Sequence, residues 1–175
     1  GHSARDTFES LLNEGFTLLQ KPFSIGARIE HPQSLINRAQ YGAAAEHPAL
    51  GAADYKLALH LPSGRSVYTF CMCPGGTVVA AASEESSVVT NGMSYYARDG
   101  VNANSALLVG VGPEDFGSEH PLAGMFLQRR IEQKAFVLGG QTGCAPCQTV
   151  GDLLAGHASG KLGCVQPSYK PGVVP

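Results

Sequence analysis

Residues 70–76, Phe-Cys-Met-Cys-Pro-Gly-Gly, put two cysteines one residue apart at the end of an apolar run and follow them at once with turn residues. A tight turn exposes backbone N–H groups, and a soft thiol beside them suits an anion or cofactor site, or a metal site. Cys71, Cys73, Cys144 and Cys147 are together a conceivable four-thiolate zinc set. The spacing speaks against it: residues i and i+2 of a strand share a face, whereas a zinc knuckle separates its cysteines by about two to four residues. The alternative of a stand-alone thiol or zinc-binding module built on these four residues stays open at this point.

Other motifs fall away. Cys144-Ala-Pro-Cys147 ahead of a short helix imitates a thioredoxin redox motif, but only 28 residues follow it, too few to complete that sheet. Buried or incidental thiols are the plainer reading of Cys144, Cys147 and Cys164. Gly110-Val-Gly-Pro-Glu follows an apolar run as a dinucleotide fingerprint does, yet Pro113 and the missing third glycine make it a loop. No Gly-x-Ser-x-Gly elbow, P-loop or His-Glu-x-x-His occurs. What remains is a polar constellation at strand ends and tight loops: Arg28, Glu30, His31, Tyr55, Cys71, Cys73, Asn91, Ser94, Asn102, Asn104 and Ser105. Such a set can surround a small ligand; asparagines and serines also serve turns with no ligand at all.

The elements that must position these residues follow from pattern. Residues 4–14 read as an amphipathic helix with Phe8, Leu11 and Leu12 on one face, Ser3 and Asp6 as caps and Gly15 closing it. Residues 16–19 read as extended, and 23–30 as a strand placing Arg28 and Glu30 on one side. His31-Pro32 then opens a helix to about Gln40. The dipeptide recurs at His47-Pro48 and His120-Pro121, where a surface histidine held extended before proline is the plain reading. Residues 55–110 are strand-rich: 55–61 and 66–72 flank the turn 62–65, and 77–82, 87–90 and 106–111 are further strands. Between them 91–94 and 99–105 are polar, Asn-rich connections. The last third turns helical, over 121–138 and briefly over 150–154. Residues 167–175 form an extended, turn-prone tail with no core of its own.

Bulk properties narrow the function. The 175 residues, 43% hydrophobic, suffice for a buried core in one domain or at most two. A net charge of −2 with 15% charged residues offers no basic stripe for nucleic acid. No apolar run is long enough to span a bilayer, the first residues are polar, and five cysteines are an odd number; these point to reduced thiols and a cytoplasmic protein. The 22 glycines and 11 prolines fit a loop-rich α+β domain, a mixed or antiparallel sheet with helices packed on it.

The strings Gly1-His-Ser-Ala-Arg-Asp-Thr-Phe8, Lys21-Pro-Phe-Ser-Ile-Gly-Ala-Arg-Ile-Glu-His-Pro-Gln33, Gln40-Tyr-Gly42, His47-Pro-Ala-Leu-Gly-Ala-Ala-Asp-Tyr-Lys56, Phe70-Cys-Met-Cys-Pro-Gly-Gly76, Ala80-Ala-Ala-Ser-Glu84, Thr90-Asn-Gly-Met-Ser94 and Asn102-Ala-Asn-Ser105 resemble a family of largely uncharacterised bacterial FAD-dependent dehydrogenases. The resemblance runs nearly the whole chain, through Pro167-Ser-Tyr169 and Pro171-Gly172. It implies a substrate or lid domain over residues 1–166, inserted into a Rossmann-type FAD-binding domain, with 167–175 leading back into the host. Gly1-His2-Ser3 either follow the host's last strand or are tag residues. The dinucleotide fingerprint then lies in the flanks, outside this chain.

The resemblance further implies that the domain covers the flavin and shapes the pocket of a small-molecule substrate, that its partner is its own FAD-binding domain, and that alone it binds no FAD tightly and is inactive. In that role Arg28 anchors an anion or carbonyl, His31 or Glu30 donates a proton, and Cys71 and Cys73 face flavin or substrate as a redox pair. Tyr55, Gly75, Gly76, Asn91, Ser94, Asn102, Asn104 and Ser105 face substrate or flavin. No metal is expected. Cys144 and Cys147 depart from the family's pattern. A purely structural domain that docks on another subunit is the remaining alternative.

Overall fold

A computed structural model describes residues 3–175; Gly1 and His2, with the readings placed on them, lie outside the described residues. The chain runs α1 (Arg5–Asn13), β1 (Phe23–Pro32), α2 (Gln33–Tyr41), β2 (Ala58–His60), β3 (Ser66–Cys73), β4 (Gly76–Ala80), β5 (Thr90–Ser94), β6 (Asn102–Val111), α3 (Ala123–Leu138), β7 (Ala145–Pro146), α4 (Val150–Ala155) and β8 (Val173–Val174). An antiparallel sheet of order β1-β6-β3-β2 carries the molecule, with β4–β5 as a separate antiparallel hairpin and β7–β8 as a short parallel pair. This is the α+β architecture expected, and the main sheet is antiparallel throughout.

Two apolar clusters hold the layers together. At one end of the sheet Val111, Phe116, Ala123 and Leu127 pack with Phe23 and Ile25, so that the start of α3 covers the ends of β1 and β6. Phe23 and Phe116 stack at a centroid distance of 5.2 Å, a geometry that adds about 0.5–1.5 kcal/mol to their burial. The second cluster joins Val78 and Val88 to Ala145 and Tyr169, with Ala135, Phe136 and Val173 against it. Tyr169 and Val173 belong to the tail, which therefore shares this core; the expectation of a tail with no core is corrected.

Several boundaries move for identifiable reasons. His31 and Pro32 finish β1, paired to Ala103 and Asn102, and α2 begins only at Gln33 with Pro32 extended at its N-cap. Sheet pairing overrides the helix-opening habit of the dipeptide. Both Asn-rich stretches are strand rather than connection: Asn102–Ser105 extends β6, and Thr90–Ser94 is β5, displaced from the expected 87–90. The cause is pairing with β1 and β4, which supplies hydrogen bonds that low propensity residues cannot supply alone. Residues 16–19 form no strand, and only Ala58–His60 of 55–61 does. At α1 the N-cap is Ala4, not Ser3, while the Asp6 carboxylate accepts the Thr7 N–H in the first turn at 2.8 Å. His47 and His120 are more than surface residues: each accepts, through Nδ1, the N–H two residues on.

An ion network fastens α1 to α3 through the loop before β5. Arg5, 3% exposed, donates to the carboxylates of Glu84 and Glu132, and Arg129 donates to Glu84 (2.7 Å) and Glu9 (3.2 Å). Arg129, and next to it Arg5, pull the Glu84 carboxyl down from 4.5 to about 2 against the effect of burial. A depressed carboxylate contributes stability that is complete above its unfolded value and lost as pH falls through the folded one. Thermal melts are therefore expected to weaken between pH 5 and 2, and Glu84→Gln is expected to flatten that loss; an unaltered profile in Glu84→Gln would show the acid response to arise elsewhere.

Candidate functional site at the β3–β4 seam

The 70–76 segment is the seam between the sheet and the β4–β5 hairpin. β3 pairs with β6 up to Phe70↔Ala106 and resumes at Cys73↔Asn104, with a register shift between. Cys71 lies in that shift at φ +47°, a conformation uncommon outside glycine. Cys71 is exposed and Cys73 buried, and the Cys73 thiol donates to the Cys71 carbonyl at 3.2 Å. Gly75 turns the chain at φ +53°, where a Cβ would strike the backbone of Arg98. The Gly75 N–H is already spent on Gln33 Oε1 (2.8 Å), and Ser94 donates its hydroxyl to the Pro74 carbonyl (2.9 Å). Gly76 opens β4 opposite Ser94. The turn is thus knitted to α2 and β5.

Beside it β1, β3, β5 and β6 bring Arg28, Cys71, Asn91 and Asn104 together. Partners across an antiparallel ladder share a face, so Arg28, Glu30, Asn102, Asn104 and Cys73 stand on one side of the sheet. Arg28 Nη1 donates to Asn104 Oδ1 at 2.6 Å, with longer approaches to the Cys71 carbonyl (3.5 Å) and, from Nη2, to Asn91 Oδ1 (3.4 Å). Asn104 is fully buried, and its Nδ2 has no hydrogen-bond partner among the described residues. Arginine is a donor only, so it fixes the Asn104 amide with its oxygen toward Arg28 and its NH2 away.

Gly92 was missed. A Cβ there would collide with Arg28 Nη1 and Asn104 Oδ1 and come within 2.8 Å of Cys73 Sγ. The absence of a side chain lets β5 lie directly on the guanidinium. Asn91-Gly92 looks like a hairpin turn, yet Gly92 pairs with Val78 inside the β4–β5 ladder. The available signal was that a glycine within a strand marks close approach of another group. Gln33, which holds the turn, carried no signal beyond its place on a helix.

His31, Tyr55 and Ser105 form a second group. His31 and Ser105 alternate to the opposite face of the sheet from Arg28. His31 Nε2 and the Tyr55 hydroxyl are 2.9 Å apart, and His31 Nδ1 is buried without a hydrogen-bond partner among the described residues. Burial lowers the His31 ring below its ordinary value, so it is neutral at pH 7, and burial raises the Tyr55 hydroxyl. The single cluster drawn from sequence is therefore two, divided by the sheet.

Glu30 and Asn102 serve the tail. Glu30 accepts from Asn102 Nδ2 (2.9 Å) and the Ser168 N–H (3.1 Å), and Asn102 also donates to the Gln166 carbonyl (2.9 Å). Ser105 donates to the Phe70 and Ala106 carbonyls.

The four thiols of the zinc alternative do not converge: among the described residues no group of three or more His, Cys, Asp or Glu is placed to hold a metal ion. Cys144 and Cys147 flank β7, and burial pushes the Cys147 thiol up, the reverse of what a reactive thiol needs.

Comparison with known proteins bears on the whole of this scaffold. An uncharacterised protein of Clostridium beijerinckii is 57% identical over 173 residues, 98% of this chain but 32% of that protein, so the chain spans about a third of its relative's length. The family model described as "FAD-dependent protein, C-terminal domain-like" matches residues 22–175, from the start of β1 to the β8 strand that closes the second core. Sheet, seam and tail all fall within that match, and the chain belongs to the family of FAD-dependent protein C-terminal-like domains.

Proposed function

We propose that this chain is the domain of an FAD-dependent oxidoreductase, of dehydrogenase type, that covers the flavin and shapes the substrate pocket, and that it turns over nothing by itself. The observation that carries the reading is membership of an FAD-dependent family by a chain equal to only 32% of its relative's length, which leaves room for a Rossmann-type host into which it is inserted. Its five free cysteines favour a reducing compartment, the bacterial cytoplasm.

The glycine-rich turn after β6 does not fit the diphosphate of FAD. It is filled by Glu114, whose carboxylate stands where a Cβ of Gly112 would be, with Oε1 at 2.6 Å. That turn leads into a three-residue 3-10 turn rather than a helix N-terminus, and a carboxylate repels phosphate. The dinucleotide is assigned to the partner domain under this proposal. On this reading the chain presents to the flavin and substrate its β3–β4 seam, where Cys71 and Asn91 are exposed and Arg28 supplies a fixed positive charge. With the Cys73 thiol buried beneath Gly92, Cys71 is the cysteine that meets a ligand.

Flavin content tests the reading. The purified chain is expected to be colourless and the full-length protein to carry one FAD per chain. Stoichiometric flavin on the 175-residue chain would overturn it.

A further inference from the structure

We propose that Arg28, backed by Asn104, binds the carboxylate of a small-molecule substrate; this rests on the flavin-covering reading above. The first ground is charge. Arg5, Arg65 and Arg129, the other arginines drawn out of full solvent exposure, each pair with a carboxylate. Arg28 is half-buried and among the described residues bonds only to neutral oxygens, those of Asn104, Asn91 and Cys71. A half-buried guanidinium bonded to no carboxylate among the described residues can give charge-assisted hydrogen bonds to an anion at its free edge.

The second ground is geometry. Among the described residues only the bond from Nη1 to Asn104 is short and none leaves Nε, so the fork of N–H groups that matches a carboxylate in two parallel bonds is largely unspent. Asn104 and the bare Gly92 hold the guanidinium from the protein side, while Asn91 and Cys71 leave it open to solvent on the other. Among the described residues no second cation bonds to any of these groups, which matches one negative charge and disfavours a phosphate dianion.

The test titrates acetate and benzoate, their neutral counterparts acetamide and benzamide, and inorganic phosphate into the full-length FAD-loaded protein, following heat of binding and the visible flavin spectrum. At least one of the two carboxylates is expected to saturate, the amides to do nothing, and Arg28→Gln to weaken carboxylate binding about tenfold to a hundredfold, as befits loss of charge-assisted hydrogen bonds. Arg28→Lys, which keeps the charge without the fork, is expected to fall between. Arg28-dependent binding that shifts the flavin spectrum supports both readings. Arg28-dependent binding with a silent flavin keeps the carboxylate site and overturns the flavin-covering role. Absence of carboxylate binding, or binding that Arg28→Gln leaves unchanged, overturns the inference, as does phosphate binding more tightly than either carboxylate. If free carboxylates fail to bind while Arg28→Gln lowers the Tm of the full-length protein but not of this chain, the counter-ion is a side chain of the partner domain and the inference again falls.

Discussion

Replacing Arg5 with methionine is expected to destabilise this domain by about 3–5 kcal/mol, the cost of stranding one side of a buried ion pair. Arg5 is 3% exposed and donates to two carboxylates, of which Glu132 is itself only 9% exposed. Methionine fills much of the same volume, so the loss reports charge rather than a cavity. Against a typical total of about 5–15 kcal/mol, such a loss leaves the fold marginal. Urea denaturation of Arg5→Met beside the exposed neighbour control Arg130→Met reads it directly. A loss under about 1 kcal/mol would show that Glu84 and Glu132 find solvent or other partners once Arg5 is gone.

Gly92→Ala is expected to damage the seam directly with a single methyl group. The new Cβ meets Arg28 Nη1, Asn104 Oδ1 and Cys73 Sγ at once, and Asn104, fully buried, has nowhere to retreat. Overpacking of this kind costs about 1–3 kcal/mol, and here it also parts Arg28 from Asn104. The variant is expected to melt at lower temperature and, in the full-length protein, to lose carboxylate affinity along with Arg28→Gln. A Gly92→Ala protein with the parental melting temperature would mean that β5 can lift off the guanidinium freely, and the preorganised anchor would be lost from the account.

Sheet class and helices were legible because they rest on periodicity. The apolar runs of 66–72 and 106–111 and the long helix ending at Leu138 lie where the sequence reading puts them. Polar strands were not legible. Asn91-Gly92 and Asn102-Ala-Asn carry the residue types of turns, and only pairing with β4 and β1, set by distant segments, makes them ladder. The same long-range register decides which site residues meet. Arg28 and His31 are three apart, and a strand sends them to opposite faces, so the sheet separates them while joining Arg28 to Asn104, 76 residues away. Alternation along 23–32 contained the first fact, but only after His31 was known to be strand. Glu30 illustrates the converse: its chemistry suggested an acid, yet its oxygens are engaged by the tail through Ser168 and Asn102.

On the proposed reading this domain covers the flavin of its host. Hydrogen exchange of the full-length protein, compared with and without FAD, tests it most directly at residues 71–76 and 91–94. FAD is expected to slow exchange across that seam while the core around Phe23 and Phe116 at the other end of the sheet is unchanged. Equal exchange at the seam in both states would place the flavin elsewhere and contradict the account.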